Sequence, residues 1–194
     1  MWRREDFLSQ GFSKRAPFGM LKMSGDFYVC QCARIIGEVS MEIREITGDK
    51  KQYMELLFLA DEQETMIERY LDRGRMYVLD DNGVRAECVV TDEGNGVLEI
   101  KNIAVAPQCQ GQGYGRALLR FVEEAYAGRY AVLQVGTGDS PLTLPFYEKC
   151  GFARSHTVKN FFTEHYDHPI FEGGVQLVDM VYLRKNLGNK ENSL

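Results

Sequence analysis

Gln110-Gly111-Gln112-Gly113-Tyr114-Gly115-Arg116 is the stretch on which the reading of this chain turns. Glycine at alternate positions removes Cβ atoms, so successive backbone N–H groups can turn inward and close on an anion. Its neighbours give it a place in a fold. Residues 97–105 upstream read as a long strand. Residues 114–126 downstream read as a helix with Ala117, Leu118, Phe121, Val122 and Ala125 facing inward. A helix that starts on such a loop brings its positive dipole end to the same point, which makes a diphosphate site. A plain glycine-rich linker would not sit between a strand and a periodic helix.

Three nucleotide-site patterns compete for the loop. A P-loop needs Lys followed by Ser or Thr after its last glycine, and neither is present. A dinucleotide fingerprint needs Gly or Ala three positions after its second glycine. Counting from Gly111 and Gly113 gives Arg116, and from Gly113 and Gly115 gives Leu118, so both registers fail. The pattern Gln/Arg-x-x-Gly-x-Gly/Ala remains, met by Gln110, Gly113 and Gly115.

Working outward, Met41-Glu42-Ile43-Arg44-Glu45-Ile46 alternates apolar and polar as a strand does. Residues 50–60 place Tyr53, Leu56, Leu57 and Ala60 on one helical face, with Asp49 and Gln52 positioned to cap it. A second helix is expected from Asp61, with Met66, Ile67, Tyr70 and Leu71 as its stripe and Arg73-Gly74 as its end. Strands follow over residues 75–80, 84–91 and 97–105, separated by Asp81-Asn82-Gly83 and Asn95-Gly96 turns. After the loop and its helix come a short strand over residues 131–135, a helical turn from Ser140-Pro141 to Cys150, and strands over 152–158 and 175–183. Pro145 argues for a short or kinked last helix, since proline costs ~3 kcal/mol in a helix interior. The order is β-αα-βββ-α-β-α-ββ, an α/β (α+β) arrangement.

The chain has 194 residues, 44% hydrophobic and 26% charged, which suits one globular domain with a buried core. A net charge of −5 argues against nucleic acid as a partner. No apolar run approaches the ~20 residues that span a bilayer. The N-terminus lacks an apolar signal core, so a cytoplasmic enzyme without membrane association is expected. Cys30, Cys32, Cys88, Cys109 and Cys150 are odd in number and irregular in spacing, which favours free thiols. Cys30-Gln31-Cys32 is not zinc spacing, and His165 and His168 read as packed or solvated, so no metal is expected. Residues 1–40 carry net +2 and residues 41–194 net −7. The first forty residues therefore read as an N-terminal extension, or as a stretch ahead of a start at Met41. The domain is expected over 41–185 and a tail over 186–194.

Asn102-Ile103-Ala104-Val105-Ala106-Pro107, the glycine loop and Ala117-Leu118-Leu119 together resemble the acetyl-CoA-binding motif of the GNAT acetyltransferase superfamily. Phe146-Tyr147-Glu148-Lys149-Cys150-Gly151-Phe152 is similar to its second marker, Tyr-x-x-x-Gly-Phe, at the usual separation. Residues from Gly136 to Met180 resemble a bacterial subgroup typified by YvbK. The resemblance implies a mixed, mostly antiparallel central sheet flanked by helices. It implies acetyl-CoA as co-substrate, with the backbone of Ile103, Ala104 and Val105 pairing with the pantetheine arm. The N–H groups of Gln110, Gly111, Gln112, Gly113, Tyr114, Gly115 and Arg116 would hold the pyrophosphate. Tyr147 matches the tyrosine that protonates the leaving thiolate, and Glu99 matches the strand glutamate used as base; Glu164, Asp167 and Glu172 stand in reserve. The implied reaction is direct acetyl transfer to a primary amine of a small molecule. Two alternatives stay open: a protein N-terminal or lysine acetyltransferase, and a non-catalytic acyl-CoA sensor. Homodimers are common in the families it resembles. The acids of the first helices, Asp61, Glu62, Glu64, Glu68 and Asp72, offer either a lining for a cationic acceptor site or a solvated helix face, and the solvated face is the preferred reading.

Overall fold

The computed structural model describes residues 19–22, 28–31 and 41–188. Two short strands, β1 (Gly19–Lys22) and β2 (Tyr28–Gln31), pair as an antiparallel hairpin. The rest of the expected N-terminal extension, Cys32 included, lies outside the described residues.

The main body is a seven-stranded sheet. Its members are β3 (Glu42–Ile46), β4 (Arg75–Asp80), β5 (Val84–Asp92), β6 (Val97–Val105), β7 (Val132–Gly138), β8 (Ala153–Val158) and β11 (Met180–Asn186). The spatial order is β3-β4-β5-β6-β7-β11-β8, and only β6 and β7 run parallel. Helices cover both faces, so the central strands bury residues on both sides instead of alternating. In β4, Met76 and Val78 face one core while Tyr77 and Leu79 face the other. The first core lies under α1 (Met54–Leu57) and α2 (Glu64–Leu71), with Leu57, Ile67, Tyr70, Leu71 and Val89 in it. The second lies under α3 (Tyr114–Tyr126) and α4 (Thr143–Lys149), with Leu118, Leu119, Phe121, Val122 and Leu144. There the Tyr77 and Tyr126 hydroxyls share a buried hydrogen bond of 2.8 Å.

Several elements differ from the sequence expectation, each for a local reason. The helix expected over 50–60 is a 3₁₀ turn, Lys50–Tyr53, followed by the single turn of α1. Asp49 accepts from the Lys51 amide at 2.9 Å and Gln52 reaches back to the Asp49 carbonyl at 2.6 Å, so the cap is formed. Lys50 instead extends to the carbonyls of Leu71 and Gly74, both at 2.7 Å, and caps the far end of α2. That second helix starts at Glu64, not Asp61, because Asp61 is engaged with tyrosine hydroxyls described below. In α3, Leu119 and Tyr126 are buried where Ala117 and Ala125 are only partly so. Pro145 is the third residue of α4, in the turn whose amides have no intrahelical partner, so it costs no hydrogen bond.

The expected strand over 175–183 is two elements. Val175–Gln176 (β10) forms a small hairpin with Phe171–Glu172 (β9), and β11 begins at Met180 and runs to Asn186. The break comes at Leu177, whose amide bonds Ile170 and whose side chain is buried, and at Asp179, which accepts from Lys159 and the Asn160 amide. A short helix, α5 (Phe161–His165), precedes them. Leu187, just past β11, is buried, and its amide bonds Ala131 at 2.9 Å, so packed structure reaches beyond 185.

Candidate active site

The site begins with a flaw in β6. Its register against β5 pairs Val89 with Asn102 but Val90 with Ile100, leaving Lys101 as the extra residue of a bulge. A bulge bends its strand and sharpens the local twist. On its other side β6 pairs with β7 only from Val97 with Val132 to Ile100 with Val135. Past that point β7 stays paired with β11, through Gly138 with Met180, while β6 carries on to Val105 without β7. The two parallel strands thus open into a wedge, and residues 101–105 offer it an edge of main chain that can accept an added strand.

The loop lies at the mouth of the wedge. Pro107–Cys109 makes a 3₁₀ turn in which the Gln110 amide bonds the Pro107 carbonyl at 3.3 Å. Gly111 then has φ 74° and Gly113 φ 93°, the left-handed region that side chains rarely adopt. Nothing lies within 4 Å of where a Gly113 Cβ would sit, so glycine is needed there for its backbone angle and not for space. Among the described residues, none of the amides from 111 to 116 donates to a backbone carbonyl; the first bond onto the helix is from Ala117 to Gly113, 3.0 Å. These free donors run into the N-terminus of a 13-residue helix, the kind of place where anions bind. Gln110 differs from the others because its amide is already taken, and its side chain ties the loop to the Val105 carbonyl at 3.3 Å. Tyr114 anchors the other end through a 2.6 Å bond to Asp81. Arg116 is exposed beside the loop.

Loop and wedge open into one cleft of about 1220 Å³. The first-choice residues that the sequence nominated for binding and catalysis line it: Glu99, residues 103–105, residues 110–116 and Tyr147. Tyr147 projects from α4 with its ring edge-on to Phe146 and Phe152, at centroid distances of 5.1 and 5.7 Å. Burial, and then the neighbouring Cys88, push its phenol well above the ordinary tyrosine range, so it holds its proton at neutral pH. Glu99 is buried in β6. One oxygen pairs with Lys101 at 2.7 Å and the other accepts from Gln134 at 2.7 Å, which in turn accepts from Arg184. Of the reserve carboxylates, Glu172 lines the cleft, while Glu164 and Asp167 are exposed outside it.

Two carboxylates stand apart from the sequence reading: Asp61, for which a solvated face is preferred there, and Glu87, which it does not single out. Asp61 belongs to no solvated face, unlike the exposed Glu62, Glu64, Glu68 and Asp72. It lines the cleft and accepts from the Tyr70 hydroxyl at 3.3 Å and the Tyr166 hydroxyl at 3.1 Å. Tyr70 is itself held by the Asn102 amide at 2.9 Å, and burial raises the Asp61 carboxyl above its usual range. No local pattern marks it, since Tyr166 is 105 residues away. Glu87, in the middle of β5, is fully buried and neither oxygen has a hydrogen-bond partner. Burial pushes it up to about 8, while the Ala104 amide across the strand pulls the other way without a bond of ordinary geometry.

Cys88 and Cys109 are buried free thiols and Cys150 is half-buried. His165 stacks on Phe161, and His168 contacts Asp167 and Glu62. Among the described residues no three His, Cys, Asp or Glu side chains gather as a metal site, and no helix is long and apolar enough to cross a membrane.

A wedge between parallel strands with a diphosphate-ready helix terminus at its mouth defines an acyl-CoA-dependent acyltransferase, and the chain belongs to the GNAT acetyltransferase family. Residues 72–154 match the family model described as an acetyltransferase (GNAT) domain. The chain is 35% identical over 153 residues to the uncharacterized N-acetyltransferase YvbK of Bacillus subtilis (strain 168), covering 77% of this chain and 97% of that one. A GNAT family acetyltransferase from Elizabethkingia anophelis, solved with acetyl-CoA bound, superposes with a TM-score of 0.72 at 35% identity over 75% of this chain and 97% of its own. An IAA acetyltransferase from Bacillus cereus gives 0.70 at 37% identity over 76% and 99%. The enzyme is an acyltransferase, and the ligand of the Elizabethkingia relative supports acetyl-CoA as its co-substrate.

Proposed function

We propose that the enzyme moves the acetyl group of acetyl-CoA to a primary amine of a small molecule by direct attack within a ternary complex. The observation that carries this reading is the run of unoccupied amides over 111–116 beside the unpaired edge of β6. The residues fit the co-substrate: the amides suit a diphosphate, and the main chain of Ile103, Ala104 and Val105 suits the amide groups of a pantetheine arm. Bound acetyl-CoA supplies an activated thioester carbonyl. The amine nitrogen forms its bond to that carbon as the carbon–sulfur bond breaks. Tyr147 gives its proton to the departing sulfur, a role for which a phenol that stays protonated is suited. The acceptor ammonium gives one proton to Glu99, directly or through one water, before the nitrogen attacks. The second proton that the nitrogen sheds restores the Tyr147 phenol, and Lys101 and Gln134 hold the Glu99 carboxylate in place. Alignment of the two reactants in one cleft supplies much of the rate. We further propose residues 41–185, with the packed Leu187 that follows them, as the catalytic unit.

The test is thiol release from acetyl-CoA across a panel of small amines, N-terminal peptides and lysine peptides. Saturable turnover with small amines supports the proposal. Turnover with peptides alone replaces it with a protein acetyltransferase, and acetyl-CoA binding without turnover on any acceptor replaces it with a sensor.

A further inference from the structure

The far wall of the cleft, away from the loop, is built from chemistry that selects an acceptor. We propose that Asp61 receives the ammonium of an acceptor whose remaining body is flat and apolar, an arylalkylamine in chemical class. This rests on the amine-acetyltransferase reading above and narrows it.

Asp61 is held but not saturated. Its donors are the Tyr70 hydroxyl at 3.3 Å, the Tyr166 hydroxyl at 3.1 Å and the Gln63 amide at 3.4 Å, all long for a carboxylate. An ionised carboxylate offers about four acceptor positions, so at least one is left for a further donor. The side chain is half-buried on the cleft wall, where an ammonium would supply the counter-charge that burial denies it. It is also close to the reacting strand, since Tyr70 links it to Asn102, the neighbour of Ile103 in β6.

The surroundings suit an apolar body. Phe161, Phe162 and Tyr166 form an aromatic cluster, with Phe162 stacked on Tyr166 and Phe161 edge-on to both, Ile170 packs with them, and all four line the cleft. Leu142 and Phe171, 60% and 59% exposed, continue the same wall to its rim. Large apolar side chains left open at a cleft lip mark a binding surface more often than chance. Four acids (Asp61, Glu62, Glu99, Glu172) and four bases (Arg69, Arg73, Lys101, Arg116) line the cleft, so its own side chains carry no excess of acids of the kind that gathers a polycation.

The experiment measures kcat and KM for phenethylamine, spermidine and kanamycin with the full-length enzyme and with Asp61→Asn. Asparagine keeps one oxygen for the Tyr166 hydroxyl and the Gln63 amide, removes the charge, and sets an amide NH2 in place of the oxygen that the Tyr70 hydroxyl bonds. The expected result is a kcat/KM for phenethylamine at least tenfold above the other two. In Asp61→Asn the KM for phenethylamine should rise about 10- to 100-fold, the worth of one charged hydrogen bond. The KM for acetyl-CoA and the melting temperature should stay within error. Preference for spermidine or kanamycin overturns the inference. So does a variant in which both KM values and the melting temperature move together, which would make Asp61 a structural tie only. Calorimetry of phenethylamine into the CoA-loaded enzyme separates amine binding from acetyl transfer. Binding that is lost in Asp61→Asn, without turnover on any amine, sustains the amine site and removes the transferase reading. Turnover on other amines with no phenethylamine binding does the reverse.

Discussion

Replacing Glu87 with glutamine should make the enzyme more stable than the wild type in alkaline solution and leave it nearly unchanged in acid. Glu87 sits fully buried in β5 with no partner for either oxygen, and burial lifts its carboxyl from the ordinary 4.5 to about 8. Between those values the unfolded chain has lost the proton and the folded one has kept it. The unfolded state then binds fewer protons, so unfolding becomes easier as pH rises. Each pKa unit is worth about 1.4 kcal/mol, so the full span removes roughly 3–5 kcal/mol of stability between pH 4.5 and 8, less whatever relaxation or water entry recovers. Glutamine has the shape of the protonated acid and does not titrate. The difference between variant and wild type should therefore be near zero at pH 5 and reach roughly 3 kcal/mol by pH 8, about 10 °C in melting temperature for a chain of this size. Urea unfolding at half-unit pH steps measures it, and subtracting the two curves cancels every other titrating group. Parallel curves, separated by a constant within about 1 kcal/mol, would refute the claim that this carboxyl is neutral inside the fold.

Tyr147→Phe should lower kcat by about 10²- to 10⁴-fold, the usual worth of a positioned general acid, while acetyl-CoA affinity by calorimetry changes less than about twofold. An equal loss in both would make Tyr147 a packing residue. Glu99→Gln should cut turnover by a comparable about 10²-fold or more at constant acetyl-CoA affinity, and an unaltered rate would take Glu99 out of the proton path. Tyr126→Phe strands the buried Tyr77 hydroxyl and should cost about 1–3 kcal/mol in urea unfolding; adding Tyr77→Phe should return part of it, because the orphaned group is then gone.

What the sequence disclosed follows the range of the signals. The strand Val97–Val105, the glycine loop and the helix Tyr114–Tyr126 are fixed by periodicity and turn chemistry within about thirty residues, and they stand where the pattern put them. So do Arg75–Asp80 and the asparagine–glycine turns, where Asn82 and Asn95 take positive φ. The segment after Val158 was harder. Its aromatic residues follow neither a two-residue nor a 3.6-residue period, because α5 and the β9–β10 hairpin are too short to establish one. Asp61 and Glu87 were hidden by non-local packing. In Val84-Arg85-Ala86-Glu87-Cys88 the alternation marks Glu87 as solvent-facing, but the sheet is covered on both faces and α1 and α2 close over that side. Asp61 looks like one more acid of a helical face until the chain returns, at Tyr166, to bond it. The bulge at Lys101, which opens the wedge, leaves no mark in the strand's composition.

The decisive measurement is calorimetric titration of acetyl-CoA into the wild type and Gly113→Asp, with Gly113→Ala alongside to report strain at φ 93° alone. The amides over 111–116 should bind the diphosphate, so the aspartate should abolish detectable affinity while alanine weakens it by no more than the about 1–2 kcal/mol that a left-handed backbone costs a side chain. Acetyl-CoA bound by Gly113→Asp as tightly as by the alanine variant would contradict the account, because the co-substrate's phosphates would then be held somewhere else.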